Sequence, residues 1–313
     1  MLIKVGARGS DLSLAQVEIF KQSLLSVAPS CELELVVIKT SGDSKQGKGE
    51  AIARDKKDWV LELEEALCDG QIDVALHSAK DVPIDINPKT EVHSVLTRAR
   101  PQDVFIGKKT SDGSRLRFSD LGEGDVVGTA SLRRCSQVKL ANPNLSVEPL
   151  RGNVPTRIKK LDESSDYQGI VLAAAGVERL GVSLDEFEVL PVDMMLPAVN
   201  QGVLSVQYVP GNQELEKVLM SLVEVDVEAS FVAERAVVAI LEADCSSSLA
   251  VYSEVSEGDL ELHCKVFGLS SKKQIELKGS SRIEGALELA RQIAAQAIEQ
   301  GAKELLNESK ESA

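Results

Sequence analysis

Buried strands alternate with amphipathic helices along the first two-thirds of this chain, and few architectures accept that order. Leu2–Val5 reads as a strand and leads through GARGS into a helix with Leu14, Val17, Phe20 and Leu24 at helical spacing. Leu33–Thr40 follows, then the polar stretch from Ser41 to Asp58, a helix from Trp59 to Leu67, and the apolar run Ile72, Val74, Ala75, Leu76. Further on, Asp125–Gly128 feeds SLRRCSQVKL, Ser146–Leu150 feeds RGNVPTRIKKL, and Ile170–Ala175 feeds GVERLG. Strands separated by helices predict parallel βαβ units. Leu196–Val209 is expected to be one more strand, crossing back to the first unit.

The texture changes at Glu214. Two helices, ELEKVLMSLV and EASFVAERAVVAILEA, precede three strands in a row, and the middle one alternates Leu260, Leu262, Cys264, Val266 with Glu261, His263, Lys265. Ser281 with Glu284 three residues on predicts a capping box opening a last helix. The expected fold class is therefore α/β with a small α+β C-terminal part. Residues 1–96 with 196–213 make one domain, 97–195 a second and 214–313 a third.

Net charge is −14, so a nucleic-acid partner is not expected. That average hides a basic island: Arg133, Arg134, Lys139, Arg151, Arg157, Lys159 and Lys160 stand against Glu148 alone. A basic cluster on an acidic body suits a small anionic ligand. No apolar run approaches the ~20 residues that span a bilayer. The N-terminus lacks a basic segment followed by an apolar one, so the cytoplasm is the expected location. The five cysteines form no CxxC and there are only three histidines, so no metal site is expected. Cys68, Cys135 and Cys264 are expected to be small buried apolar residues. Cys245 differs, because Asp244 and three serines surround it where a long helix ends.

Three strand-to-helix junctions carry arginine: Arg8, the pair Arg133 and Arg134, and Arg151 with Arg157. Cations in the first turn of a helix oppose its dipole, and Arg133 and Arg134 sit there behind Ser131, a good N-cap. In an open α/β sheet the strand C-termini face one crevice. The five arginines are thus expected to converge on a carboxylate-rich ligand. Ser78, Lys80 and Asp81 end another strand and face the same crevice, with Pro83 holding Asp81 extended through its effect on Val82. One carboxylate among arginines suits the stabilisation of a developing cation or the transfer of a proton. A thiol in a polar loop, Cys245, suits a nucleophile or an attachment point.

HSAKDVP, GTASLRR, LRGNVPTR, LPAVNQG and a loop cysteine after a long helix, in that order, resemble the porphobilinogen deaminase (hydroxymethylbilane synthase) family over nearly the whole chain. The resemblance implies two periplasmic-binding-protein-like α/β domains, a small α+β third domain and a typically monomeric enzyme of tetrapyrrole (haem) biosynthesis. Its activity would join porphobilinogen units head to tail, lose ammonia at each step and release hydroxymethylbilane. A dipyrromethane cofactor is implied, held by a thioether to Cys245. Asp81 would bind pyrrole N–H groups and stabilise the cation left when ammonia departs. Arg8, Ser10, Ser78, Lys80, Thr129, Ser131, Arg133, Arg134, Arg151, Arg157 and Gln201 match positions that bind cofactor or substrate. Lys56 and Trp59 take the places of a lid lysine and its aromatic. The chain departs from the family pattern at Ala243 and Asp244, where two glycines are usual, and at Leu61, where a lysine is usual. An anion-binding protein, and a chain that keeps the fold with little turnover, are the alternatives.

Overall fold

The computed structural model describes residues 1–40, 57–244, 247–269 and 273–311, without the side chains of 57–59 and 309–311. The first lobe starts with β1 (Leu2–Arg8), α1 (Asp11–Val27), β2 (Glu32–Ile38), α2 (Lys57–Cys68), β3 (Val74–Ser78) and β4 (Glu91–Val95). Helix α1 buries Val17, Phe20 and Leu24 against Ile3 and Val5 of β1 and Leu76 of β3. On the other face of the sheet, Leu63, Ala66 and Leu67 of α2 cover Ile72 and Ala75.

The second lobe holds β5 (Asp103–Gly107), β6 (Val126–Gly128), α3 (Leu132–Ala141), β7 (Ser146–Glu148), α4 (Val154–Glu163), β8 (Gly169–Ala173), α5 (Ala174–Glu178) and β9 (Glu188–Val189). Its sheet runs β7-β6-β8-β5-β9. The chain then returns as β10 (Leu204–Tyr208) and completes the first sheet in the order β2-β1-β3-β10-β4. Helix α6 (Gln213–Met220) follows and packs Leu215 and Leu219 into the core of the first lobe. The third part comprises α7 (Val225–Ile240), an antiparallel sheet of β11 (Leu249–Ser256), β12 (Asp259–Phe267) and β13 (Gln274–Arg282), then α8 (Ala286–Glu299) and α9 (Ala302–Glu311). Two α/β lobes and a small α+β unit are the architecture expected from the sequence. No helix among the described residues is long and apolar enough to cross a membrane.

Several local expectations are corrected. The sheets are mixed, since β10 pairs antiparallel with both β3 and β4, and β5 with β8. Strands β4, β5 and β9 fall where no strand was expected. Ser281 belongs to β13, paired with Leu260, so the ladder outruns the capping signal and α8 opens only at Ala286. Asp81 is not extended: it ends a 3-10 turn, Ala79–Asp81, and Val82 behind it is the extended residue. Cys264 is buried, whereas Cys68 is exposed and Cys135 only half-buried.

Two crossings join the lobes, one between β4 and β5, the other between β9 and β10. They run side by side: Ala99 N–H donates to Gly202 O (3.1 Å) and Arg98 Nε to Gln201 O (2.9 Å). Glu234 of α7, wholly buried, binds both crossings to the third part. It accepts from Arg98 Nη1 (2.7 Å), from Asn200 N–H (2.6 Å), and from the N–H and Oγ of Ser253 (both 2.8 Å). Removing one partner from such a buried pair costs about 3–5 kcal/mol.

Gly202 has φ +90, and a Cβ there would lie 2.3 Å from Ala99 O. Left-handed backbone costs about 1–2 kcal/mol for an L-residue, and overpacking about 1–3 kcal/mol more. Gly202→Ala is therefore expected to lose about 2–5 kcal/mol in denaturant unfolding. A loss below about 0.5 kcal/mol would mean the crossings are not held together as described.

Candidate active site

A cavity of about 860 Å³ opens between the lobes and the third part, within the range of about 300–1,000 Å³ usual for small-molecule sites. Each wall follows from a strand end. The end of β1 supplies Arg8, and Ser10, the N-cap of α1, accepts from Ser13 N–H (3.3 Å). The 3-10 turn after β3 supplies Lys80 and Asp81. From the second lobe come Ser131, Arg133 and Arg134 at the start of α3, and Arg157 on α4. Gln201 enters from the second crossing. Asp244 and Ser247, on either side of Cys245 in sequence, reach the same cavity, and Ser247 Oγ donates to Asp244 Oδ1 (3.1 Å). Cys245 and Lys56 lie outside the described residues. Trp59 lies at the start of α2.

The arginines do not all play one part. Arg157 donates through Nε to Gly152 O (2.6 Å), and burial brings it down to about 10. The charges of Arg134 and of Asp81, from the opposite lobe, also act on it. Arg133 and Arg134, both under 10% exposed, grip the wholly buried Asp103 at 2.8 and 2.7 Å. Burial opposes ionisation of Asp103, but Arg133 and then Arg134 outweigh it, leaving this carboxyl at about 2. Their helix opens at Ser131, whose hydroxyl makes no capping bond. Arg151 is exposed and does not line the cavity. Thr129 is buried behind it, where its Oγ1 accepts from Ser131 N–H (3.3 Å). Ser78 opens on a smaller adjoining pocket and accepts from Gln16 Nε2 (2.7 Å).

Burial lowers Lys80 to about 8, although the neighbouring Asp81 pulls the other way. Lys80 Nζ donates to Gln201 Oε1 (3.3 Å). Behind the turn, burial lowers His77 to about 4, and its Nε2 meets Gln207 Oε1 at 3.1 Å, so it is a neutral structural residue at physiological pH.

Sequence reasoning missed Arg235 and Asp103. Arg235 of α7 lines the cavity and donates to Val82 O (3.2 Å) and Pro83 O (2.7 Å), fixing the segment just after Asp81. The signal was present: Glu234 and Arg235 are adjacent charges inside the apolar run from Phe231 to Leu241, where charges survive only if paired. Asp103 carried no local signal, since its partners lie about thirty residues further along.

Residues 3–217 match the family model "Porphobilinogen deaminase, dipyromethane cofactor binding domain", and residues 229–299 match "Porphobilinogen deaminase, C-terminal domain". Among curated relatives, the porphobilinogen deaminase of Desulfitobacterium hafniense is 38% identical, covering 98% of this chain and 97% of the relative. That of Bordetella parapertussis is 36% identical, covering 98% and 96%. The probable porphobilinogen deaminase of Methanosarcina barkeri is 34% identical, covering 97% and 94%. Among solved structures, an ancestral cationic amino acid solute-binding protein is similar with a TM-score of 0.43 and 13% identity, over 71% of this chain and 87% of that one. Matched by both family models and by relatives along nearly its full length, the chain belongs to the porphobilinogen deaminase family.

Proposed function

We propose that this chain joins porphobilinogen units head to tail, releases ammonia at each bond, and frees hydroxymethylbilane at the end. The observation that carries this reading is the meeting of Lys80 and Asp81 with Arg8 and Arg157 in one cavity between the lobes. Porphobilinogen brings two carboxylates, which need cations, and a pyrrole N–H beside a carbon that becomes cationic, which needs a carboxylate.

The lining also suits a dipyrromethane. Cationic and hydroxyl donors meet its carboxylates, Asp81 can accept from pyrrole N–H groups, and Asp244 and Ser247 open on the same space. Attached through a thioether to Cys245, the group supplies the fixed end on which the chain is built. Asp81 holds pyrrole N–H groups and offsets the charge left when ammonia departs. Arg235 keeps the turn that carries Asp81 in place through two carbonyls. Arg8, Ser10, Ser131 and Arg157 position carboxylates, with Lys56 preceding α2 in sequence and Trp59 in its first turn joining them. The protein works as a monomer in the cytoplasm, without nucleic acid, in keeping with its charge of −14. The two crossings support separating residues 97–195 from 1–96 with 196–213; residues 214–313 make the third domain, apart from α6, whose Leu215 and Leu219 pack on the first lobe.

Purified protein given porphobilinogen should release four ammonia for each linear tetrapyrrole. Binding of porphobilinogen without ammonia would favour an anion-binding protein and end this reading.

Lys80 gives the reaction an alkaline limit. Its proton leaves near pH 8, so carboxylate binding should weaken and KM rise above that pH. For stability the sign is opposite. Between about pH 8 and the ordinary value of 10.5 the unfolded chain holds more protons, so this residue's contribution to stability rises with pH. Lys80→Arg stays charged and should abolish the limb in KM. An unchanged limb would assign it to another group.

A further inference from the structure

The basic pair already has an anion of its own. Asp103, the first residue of β5, is 0% exposed. Its Oδ1 accepts from Arg134 Nε (3.2 Å), Arg134 Nη2 (2.7 Å) and Gln201 Nε2 (3.0 Å). Oδ2 is different: it lies 2.8 Å from Arg133 Nη2, yet takes part in no aligned hydrogen bond. Arg134 is thus fixed on Oδ1 by two aligned donors, with Nη1 also on Val171 O (3.0 Å), while Arg133 donates through Nη1 to Leu196 O (2.6 Å) and meets the carboxylate only at Oδ2. Both guanidiniums still border the cavity. Gln201 extends the network to Lys80, so one buried carboxylate is linked to cations from both lobes.

We propose that Asp103 is a positioning residue that acts as a resident counter-ion: it aims the Arg133–Arg134 pair at the cavity and competes with ligand carboxylates for Arg133, so that a bound anion can be released. The idea rests on the proposed reaction, in which every added unit brings carboxylates that must bind and then move on. Two buried guanidiniums without Asp103 would hold an anion through two uncompensated charges in a medium of low dielectric, where each charge counts for far more than in water. Asp103 reduces that to one.

The test is the affinity for pyrophosphate, a plain polyanion, by calorimetry at constant ionic strength. Asp103→Asn should bind it at least about tenfold more tightly than the natural protein, a change equal to about 1.4 kcal/mol. With porphobilinogen, both KM and kcat of this variant should fall, kcat by about tenfold or more, with enzyme-bound chains accumulating in intact-mass spectra. Asp103→Glu, which keeps the charge, should stay within about threefold of the natural affinity. A purely structural residue would give the opposite sign, so equal or weaker pyrophosphate binding by folded Asp103→Asn overturns the proposal. Should that variant fail to fold, Arg134→Gln is compared with Arg134→Gln/Asp103→Asn, which removes the buried pair together. The double variant should bind about tenfold more tightly than the single, and equal affinity overturns the proposal. If Asp103→Asn binds pyrophosphate more tightly as expected but the natural protein forms no tetrapyrrole, the proposed reaction falls and the counter-ion role stands.

Discussion

Asp81→Asn is expected to fold normally and to lose at least ~100-fold in kcat. Asp81 is partly exposed at the end of a 3-10 turn that Arg235 braces from behind, so the exchange to an amide of the same shape should leave the fold intact. What changes is the charge opposite a developing cation. A charge-assisted hydrogen bond contributes about 1.5–3 kcal/mol, or about 10–100-fold, and removal of a preorganised electrostatic partner from a site costs about 10²–10³-fold. Single-turnover kinetics with porphobilinogen would read the first ammonia released. A rate within a factor of two of the natural protein would show that Asp81 is not the catalytic group.

Cys245→Ala should abolish the covalent group altogether. The natural protein is expected to exceed its chain mass by two linked pyrrole units, and the variant to weigh what its sequence weighs. The other thiols are poorly placed to substitute. Burial pushes Cys264 up to about 12 and Cys135 to about 11, Cys31 is buried, and exposed Cys68 closes α2 away from the cavity. An unmodified mass in natural protein expressed with ample porphobilinogen, or a modified mass in the variant, would sink the assignment.

Much of this is legible in the sequence, and the reason is period. Val17, Phe20 and Leu24 sit at helical spacing because one face of α1 must cover Ile3 and Val5, and Leu260, Leu262, Cys264 and Val266 alternate because that face of β12 packs into the core of the third part. Period reports burial and says nothing about partners. Leu204–Tyr208 is buried at every position, which fits a central strand of either direction, and only the sheet itself reveals that it lies antiparallel between β3 and β4. Ser281 shows a local signal overruled: its capping pattern competes with a nine-residue ladder that reaches Arg282, and the ladder wins. The site divides the same way. Strand-end chemistry located Arg8, Lys80, Asp81 and Arg157, since βαβ topology obliges such residues to share a crevice. It could not tell that Arg133 and Arg134 face an internal carboxylate, because Asp103 enters from β5, a strand that no sequence pattern had marked.

The late arrival of β10 has a consequence for how the molecule is made. Synthesis runs from the N-terminus, and domains generally form as units while the chain emerges. The second lobe owns every strand of its sheet between residues 103 and 189 and can close as soon as that stretch is free. The first lobe emerges earlier but must keep a slot open between β3 and β4 until residues 204–208 arrive. The lobe that carries Lys80 and Asp81 is thus born first and finished second. Throughout that interval it exposes two unpaired strand edges, so newly made chains are most exposed to misassembly just before the second crossing is complete.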